Sequence, residues 1–171
     1  MARKPKLTPH IRWMIRRDMP EVLAIEAAAS GTAWTEEDFI RELRKRNCIG
    51  MVVQNGGKRP GDGPILGFMV YELNNSRLDI LNFAVHHNWR RRGVGTALAK
   101  KLIGKLSAER RSRITLVLRE TNLTAQVFFR SLGFKATTVI RGYYIEDLEV
   151  RDGFAFQFRY QPVKQSSATQ N

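Results

Sequence analysis

The 171-residue sequence sets 29 lysines and arginines against 16 aspartates and glutamates, a net charge of +13, with 43% hydrophobic residues. That balance describes one folded domain with a single core and excludes a disordered chain. No apolar run approaches the roughly 18–20 residues of a membrane span, and the basic start at residues 1–6 is followed by no apolar signal segment. A lone cysteine, Cys48, excludes an internal disulfide, and His10, His86 and His87 form no zinc-ligand spacing, so no metal is expected. These features predict a cytoplasmic protein. The positive excess favours anionic partners such as a charged cofactor, RNA or a ribosome.

In chain order, a basic extension over residues 1–10 precedes a first short strand at 11–16. Pro20 suits the first turn of a helix carrying Val22, Leu23, Ile25 and Glu26, with Asp18 as a cap. Thr35, with Asp38 three residues on, predicts the start of a second helix whose buried stripe is Phe39, Ile40 and Leu43. Strands follow at 49–54 and 65–73, separated by a loop rich in Gly and Pro, and the second is apolar enough to be covered on both faces. The turn Asn74-Asn75-Ser76 leads into a strand at 78–85.

A long helix is expected from about 93 to 110, with Val94, Leu98, Leu102 and Leu106 on one stripe. A strand at 114–119 and a helix at 123–132 come next. A final strand pair at 134–141 and 154–160 closes a domain spanning 11–162. The remaining residues, 163–171, read as a disordered tail. The order β-α-α-β-β-β-α-β-α-β-β predicts an α/β (α+β) domain, with a mixed sheet of six to seven strands and helices on both faces.

The chemistry concentrates where the strand at 78–85 meets the long helix. Arg90, Arg91 and Arg92 are followed by Gly93-Val94-Gly95-Thr96 at a helix start. A helix N-terminus presents unpaired N–H groups and the positive end of a dipole, and glycines let backbone approach an oxyanion. Arginines add charge-assisted, bidentate hydrogen bonds. A pyrophosphate fits this turn. A dinucleotide fingerprint would need a third glycine, and a phosphate-binding P-loop a Gly-Lys-Ser/Thr, neither of which is present.

Arg90-x-x-Gly93-x-Gly95 resembles the signature of the GNAT superfamily of N-acetyltransferases. The stretch from Asn122 and Ala125 to Phe128, Gly133 and Phe134 is similar to that superfamily's second conserved segment. The resemblance implies acetyl-CoA as co-substrate and splayed strands at its site. Backbone groups of Phe83, Ala84 and Val85 would pair with the pantetheine arm, residues Arg91 through Thr96 would hold the pyrophosphate, and Asn122 and Phe129 would line the thioester end.

Two further segments resemble the ribosomal-protein alanine N-acetyltransferases (RimI-type). These are the stretch around Ile25, Glu26 and Trp34, and Arg141-Gly142-Tyr143-Tyr144 with the acidic residues Glu146, Asp147 and Glu149 behind it. Trp34, Tyr143 and Tyr144 would then contact a basic peptide or protein N-terminus.

The sequence departs from that group where protons are moved. Val117 stands where the group carries its glutamate base, and Phe129 where it carries its tyrosine acid. Acetylation still requires a neutral amine. Asp79, on the strand before the cofactor turn, is the expected substitute base, and Tyr144 the expected acid. Glu120, His86 and His87 are lesser candidates. The sequence therefore predicts acetyl transfer to an amine, most simply a protein α-amine. The alternatives are a small amine or lysine acceptor, and an acyl-CoA-binding protein that docks to ribosome or RNA.

Overall fold

The computed structural model describes residues 5–29, 33–146 and 148–162. Asp147, the first four residues of the expected N-terminal extension and the expected tail at 163–171 lie outside the described residues. The strands are β1 (Pro9–Trp13), β2 (Cys48–Asn55), β3 (Ile65–Leu73), β4 (Arg77–Val85), β5 (Arg113–Arg119), β6 (Lys135–Glu146) and β7 (Glu149–Arg159). Between them run the helices α1 (Met19–Ala29), α2 (Glu36–Leu43), α3 (Val94–Ile103) and α4 (Leu123–Ser131). The sheet order is β1-β2-β3-β4-β5-β7-β6. Only the β4–β5 pairing is parallel. This is the mixed α/β sheet that the order of elements predicts.

Two apolar cores form on opposite faces. Leu98 and Leu102 of α3, with Phe129 of α4, pack on Leu78, Ile114, Leu116 and Phe156. On the other face Val22 and Ile25 of α1 and Phe39 of α2 pack on Val52, Phe68 and Val70. β3 is buried on both faces from Ile65 to Tyr71, as its continuous apolar run requires. The second core touches only β2, β3 and β4, so the corresponding face of β5, β7 and β6 carries no helix among the described residues.

Local chemistry explains several boundaries. Thr35 accepts from the Asp38 amide at 3.3 Å while the Asp38 carboxylate accepts from the Thr35 amide at 2.8 Å, which is the predicted capping box. Arg12 grips Asp18 through two hydrogen bonds of 2.8 Å and so ties the end of β1 to the start of α1.

Other boundaries differ from expectation. β1 begins at Pro9, and residues before it are held to β2, where Thr8 donates to the Asn55 side chain at 2.7 Å. α3 stops at Ile103, capped by Gly104, although Leu106 remains buried beyond it. The burial that makes 93–110 look like one helical stripe is thus supplied partly by an irregular segment. The last hairpin is longer than expected because β6 runs on past an irregularity between Ile140 and Tyr144, where Gly142 takes φ +64°.

Candidate active site

The site is created by an incomplete pairing. β4 and β5 are in register only over Arg77–Asp79 and Arg113–Thr115. Beyond Asp79, β4 stays with β3 while β5 stays with β7, so the two strands part and leave a wedge. An irregularity between Val70 and Tyr71 lets Leu81 bulge from β4, at the point where the strand turns from one partner to the other. Phe83, Ala84 and Val85 pair with Met69, Phe68 and Gly67 on one side, and their other edge faces the wedge. An exposed backbone edge needs hydrogen-bond partners, which an extended amide-bearing chain such as pantetheine provides.

The turn that follows is built for an anion. Arg91 and Gly93 both take left-handed backbone, at φ +58° and +81°. The N-terminus of α3 has no side-chain cap and no acidic residue in its first turn. Its N–H groups therefore lack an internal partner, and alternating backbone handedness turns such groups toward one concavity.

Asn88, Trp89 and the three arginines line a cavity there with Pro5. Arg92 stacks over Trp89 at 4.7 Å and donates to the Pro5 carbonyl at 2.8 Å, and Arg90 donates to the Val85 carbonyl at 3.3 Å. Arg91 and Arg90 are exposed. Gly95 has a different role from Gly93: a Cβ there would come within 3.1 Å of Phe128 and 3.4 Å of Val85, so it lets α3 pack closely. Val94 is buried in the core beneath the turn and Thr96 is half-buried.

Asn122 caps α4, accepting from the Ala125 amide at 3.1 Å, and is exposed. Phe129 is 2% exposed and meets Phe83, Phe128 and Phe134 edge-on at 5.0–5.3 Å. It is a floor under β4 and has no proton to give. Gln126, which sequence reasoning passes over, is buried and donates to the carbonyls of Arg119 and Glu120 at 3.0 and 3.1 Å, which fixes α4 to the end of β5.

The proton-handling candidates fall in different places. Asp79 sits at the last paired position of β4, at the closed end of the wedge. It accepts from Arg77 Nε at 2.8 Å, from Asn74 at 2.6 Å and from the Thr115 hydroxyl. These partners make it the fastener that holds the strands together. The His86 imidazole accepts from the Asn88 amide at 3.1 Å and stacks on His87 at 4.5 Å. Burial, with His87 and Arg90 adding to it, holds the pKa of His86 below the usual histidine value. Glu120 lies just past the end of β5, with its amide bonded to the Asp152 carbonyl at 3.1 Å.

Tyr144 reaches across from β6 and donates to the Val117 carbonyl at 3.1 Å. Arg119 stacks over the Tyr144 ring at 4.8 Å, and Tyr143 meets the same ring edge-on at 4.9 Å with half its own surface exposed. The Val117 side chain closes against Gly153, where a Cβ would come within 2.6 Å.

Opposite them, Glu26 of α1 is only 3% exposed. It accepts from the Asn82 side chain and from the Trp34 backbone. Burial pushes its pKa above the ordinary 4.5, while Asn82, Trp34 and the charge of Arg119 act the other way. Asn82 adjoins the bulge and also accepts from the Phe83 amide at 2.8 Å. Trp34 is fixed by Phe39, whose ring it meets at 5.1 Å.

The structure therefore brings together Glu26, Asn82, Trp34, Arg119, Val117 and Tyr144 around the wedge and leaves Asp79 at its closed end. Glu26 and Asn82 were readable as anomalies, since each interrupts an apolar stripe, Glu26 four residues after Val22 and Asn82 between Leu81 and Phe83. Among the described residues no His, Cys, Asp and Glu group could hold a metal ion, and no helix is long and apolar enough to cross a membrane.

Known proteins share this fold. The chain is 28% identical over 127 residues to the ribosomal protein bS18-alanine N-acetyltransferase of Escherichia coli K12, a match covering 74% of this chain and 81% of the relative. The crystal structure of the ribosomal-protein-S18-alanine N-acetyltransferase from Escherichia coli superposes with a TM-score of 0.74 at 21% identity, covering 96% of this chain and 99% of that one. Arabidopsis thaliana NAA60 in complex with a bisubstrate analogue superposes with a TM-score of 0.76 at 15% identity, over 89% and 98% of the two chains. The model of the Acetyltransferase (GNAT) family matches residues 11–134, from β1 through the end of α4. With its open β4 edge and arginine-rich turn suited to pantetheine and pyrophosphate, the chain belongs to the acetyltransferase (GNAT) family and is an acetyl-CoA-dependent N-acetyltransferase.

Proposed function

We propose that the acceptor is the N-terminal α-amine of a protein, with a ribosomal protein as the first class to test, and that Glu26 is the general base. The observation that carries this reading is a buried carboxyl beside the β4 bulge, hydrogen-bonded to Asn82 and within the field of Arg119, which stacks on Tyr144. Bound acetyl-CoA supplies an activated acetyl group, and Phe83, Ala84, Val85 and residues 91–96 would hold it.

The chain's own residues do the rest. An α-ammonium with a pKa near 8 must lose its proton to become nucleophilic, and a carboxylate with a raised pKa accepts that proton more readily than an ordinary one. Glu26 takes the proton directly or through one water. Asn82 holds its carboxylate in place. The positive charge of Arg119 favours its ionised form. Trp34, Tyr143 and Tyr144 form opposing walls that orient the first residues of the acceptor, and Tyr144 presents a phenol at the β5 side, suited to returning a proton.

The relatives' named activity supports an α-amine over a lysine side chain, whose pKa near 10.4 would demand a stronger base. The net charge of +13 supports an acceptor that is part of a ribosome or bound to RNA.

The test is to incubate the protein with acetyl-CoA and basic peptides, one of them beginning Ala-Arg-Tyr, and to follow thiol release together with peptide mass. Acetylation confined to the α-amine is the expected result. Acetylation of lysine or a polyamine instead overturns the acceptor assignment. Transfer undiminished in Glu26→Gln overturns the role of Glu26.

A further inference from the structure

The face of the sheet that no helix covers carries an unusual row. Arg77 of β4 pairs in register with Arg113 of β5, and Arg113 pairs in register with Arg159 of β7. Residues directly opposite one another project from the same face, so three guanidinium groups stand side by side. Adjacent strands lie about 4.8 Å apart, and the three backbones span roughly 10 Å. Like charges directly opposite one another destabilise a sheet.

Local neutralisation is slight. Asp79 binds Arg77 only through Nε, which leaves the terminal nitrogens of Arg77 available, and the Arg77 side chain is 43% exposed. Arg113 makes no ion pair with any described residue, and the Gln157 amide oxygen, turned toward Arg159, accepts from it at 2.8 Å. In the next row Lys135 pairs in register with Gln157 and is exposed. The loop entering β5 adds exposed Lys105 and Arg110 at the same end of the sheet.

We propose that this uncovered face is a docking surface for double-stranded RNA, with Arg77, Arg113 and Arg159 gripping consecutive phosphates. Arginine matches phosphate oxygens bidentately, and a row of regularly spaced cations matches a regularly spaced polyanion better than it matches one acidic side chain. On this face the rows of Arg113, Thr115 and Val117 hold no aromatic ring on which an unstacked base could lie, which favours the backbone of a duplex over a single strand. Thr138 and Gln157 beside the row are neutral hydrogen-bonding groups of the kind that meets ribose hydroxyls. The same face climbs through Val117 and Ala155 to Arg119 and Tyr144. Docked RNA would then lie below the wedge and hold a ribonucleoprotein acceptor against it.

The experiment uses the full chain and a short fluorescent RNA duplex of arbitrary sequence, with anisotropy read over a range of salt. A DNA duplex of the same sequence and a polyglutamate peptide serve as competitors. We expect the RNA duplex to bind with an affinity that falls steeply with salt. Arg113→Glu combined with Arg159→Glu should weaken it at least about tenfold and flatten the logarithmic salt slope by about one to two, since each lost phosphate contact removes close to one unit. Charge reversal at Arg41 of α2 and at Lys45 just past its end should leave binding unchanged.

Both variants should keep the wild-type melting temperature and the wild-type rate on a free peptide, because neither touches the wedge. A double variant that binds RNA as the wild type does overturns the proposal. So does equal binding of DNA, or stronger binding of polyglutamate. RNA binding is read without acetyl-CoA, so a chain that acetylates free peptides yet ignores RNA refutes this inference alone. One that binds RNA but acetylates no α-amine refutes only the proposed acceptor.

Discussion

Glu26 is a residue held at a cost. Its pKa in the fold lies above the ordinary value because burial disfavours the charged form. Stability tied to a raised carboxyl pKa is fully present below the unfolded-state value and is lost as pH rises through the folded-state one. Glu26→Gln, which mimics the neutral form, should therefore melt no lower than the wild type at pH 8, with any advantage vanishing at acid pH. The same substitution should reduce kcat by about 10²–10³-fold. In the wild type, the acid limb of the kcat/KM profile should fall above the usual carboxylate range, and a thermal scan across pH beside a rate profile checks both statements.

Asp79 should behave in the opposite way. Asp79→Asn breaks the ion pair with Arg77 and weakens the bond to Thr115. We expect a loss of about 1–3 kcal/mol in urea denaturation with transfer nearly unchanged. A large loss of rate at unchanged stability would return the base to Asp79.

At the level of elements, two left-handed residues bracket Arg92 in the turn proposed to hold the cofactor. A Cβ at Gly93 would meet nothing within 4 Å, so Gly93→Ala should cost only backbone strain, about 1–2 kcal/mol, visible as a drop of a few degrees in Tm. Replacing Arg90 and Arg91 together with alanine should raise the Kd for acetyl-CoA about tenfold to a hundredfold, and most strongly at low salt, as calorimetry would read.

The left-handed, uncapped helix start at this turn was legible in the sequence, because glycines and arginines follow one another between a strand and a helix. The elements were legible too, since periodicity and capping are local. The proposed proton-handling group was not, because it would be assembled from α1, β4, β5 and β6, which meet only in the fold. Asp79 stands out as an isolated charge in an apolar strand, and its register with Thr115 and contacts to Arg77 and Asn74, which sequence does not show, support a fastening role. Glu26 stood out as a charge in an apolar helix, but nothing in sequence announces its partner 56 residues away.

For the molecule as a whole, binding of acetyl-CoA bridges β4, α3 and α4 and so should stabilise the entire cooperative unit. At a hundred times its Kd the gain is about 2.7 kcal/mol, which for a chain of this size raises Tm by roughly 5–10 °C. Differential scanning fluorimetry with acetyl-CoA checks this, and the Arg90/Arg91 variant should lose most of the shift.

The helix-free half of the sheet has a consequence for how this protein can change. Side chains there support no core, so substitutions at Arg113, Gln157 or Arg159 leave both packed layers intact. On the two proposals above, the grip on acetyl-CoA would be written on one set of elements and the choice of neighbour on another. A lineage can exchange one acceptor environment for the next by repainting a single exposed wall, without passing through an unstable intermediate.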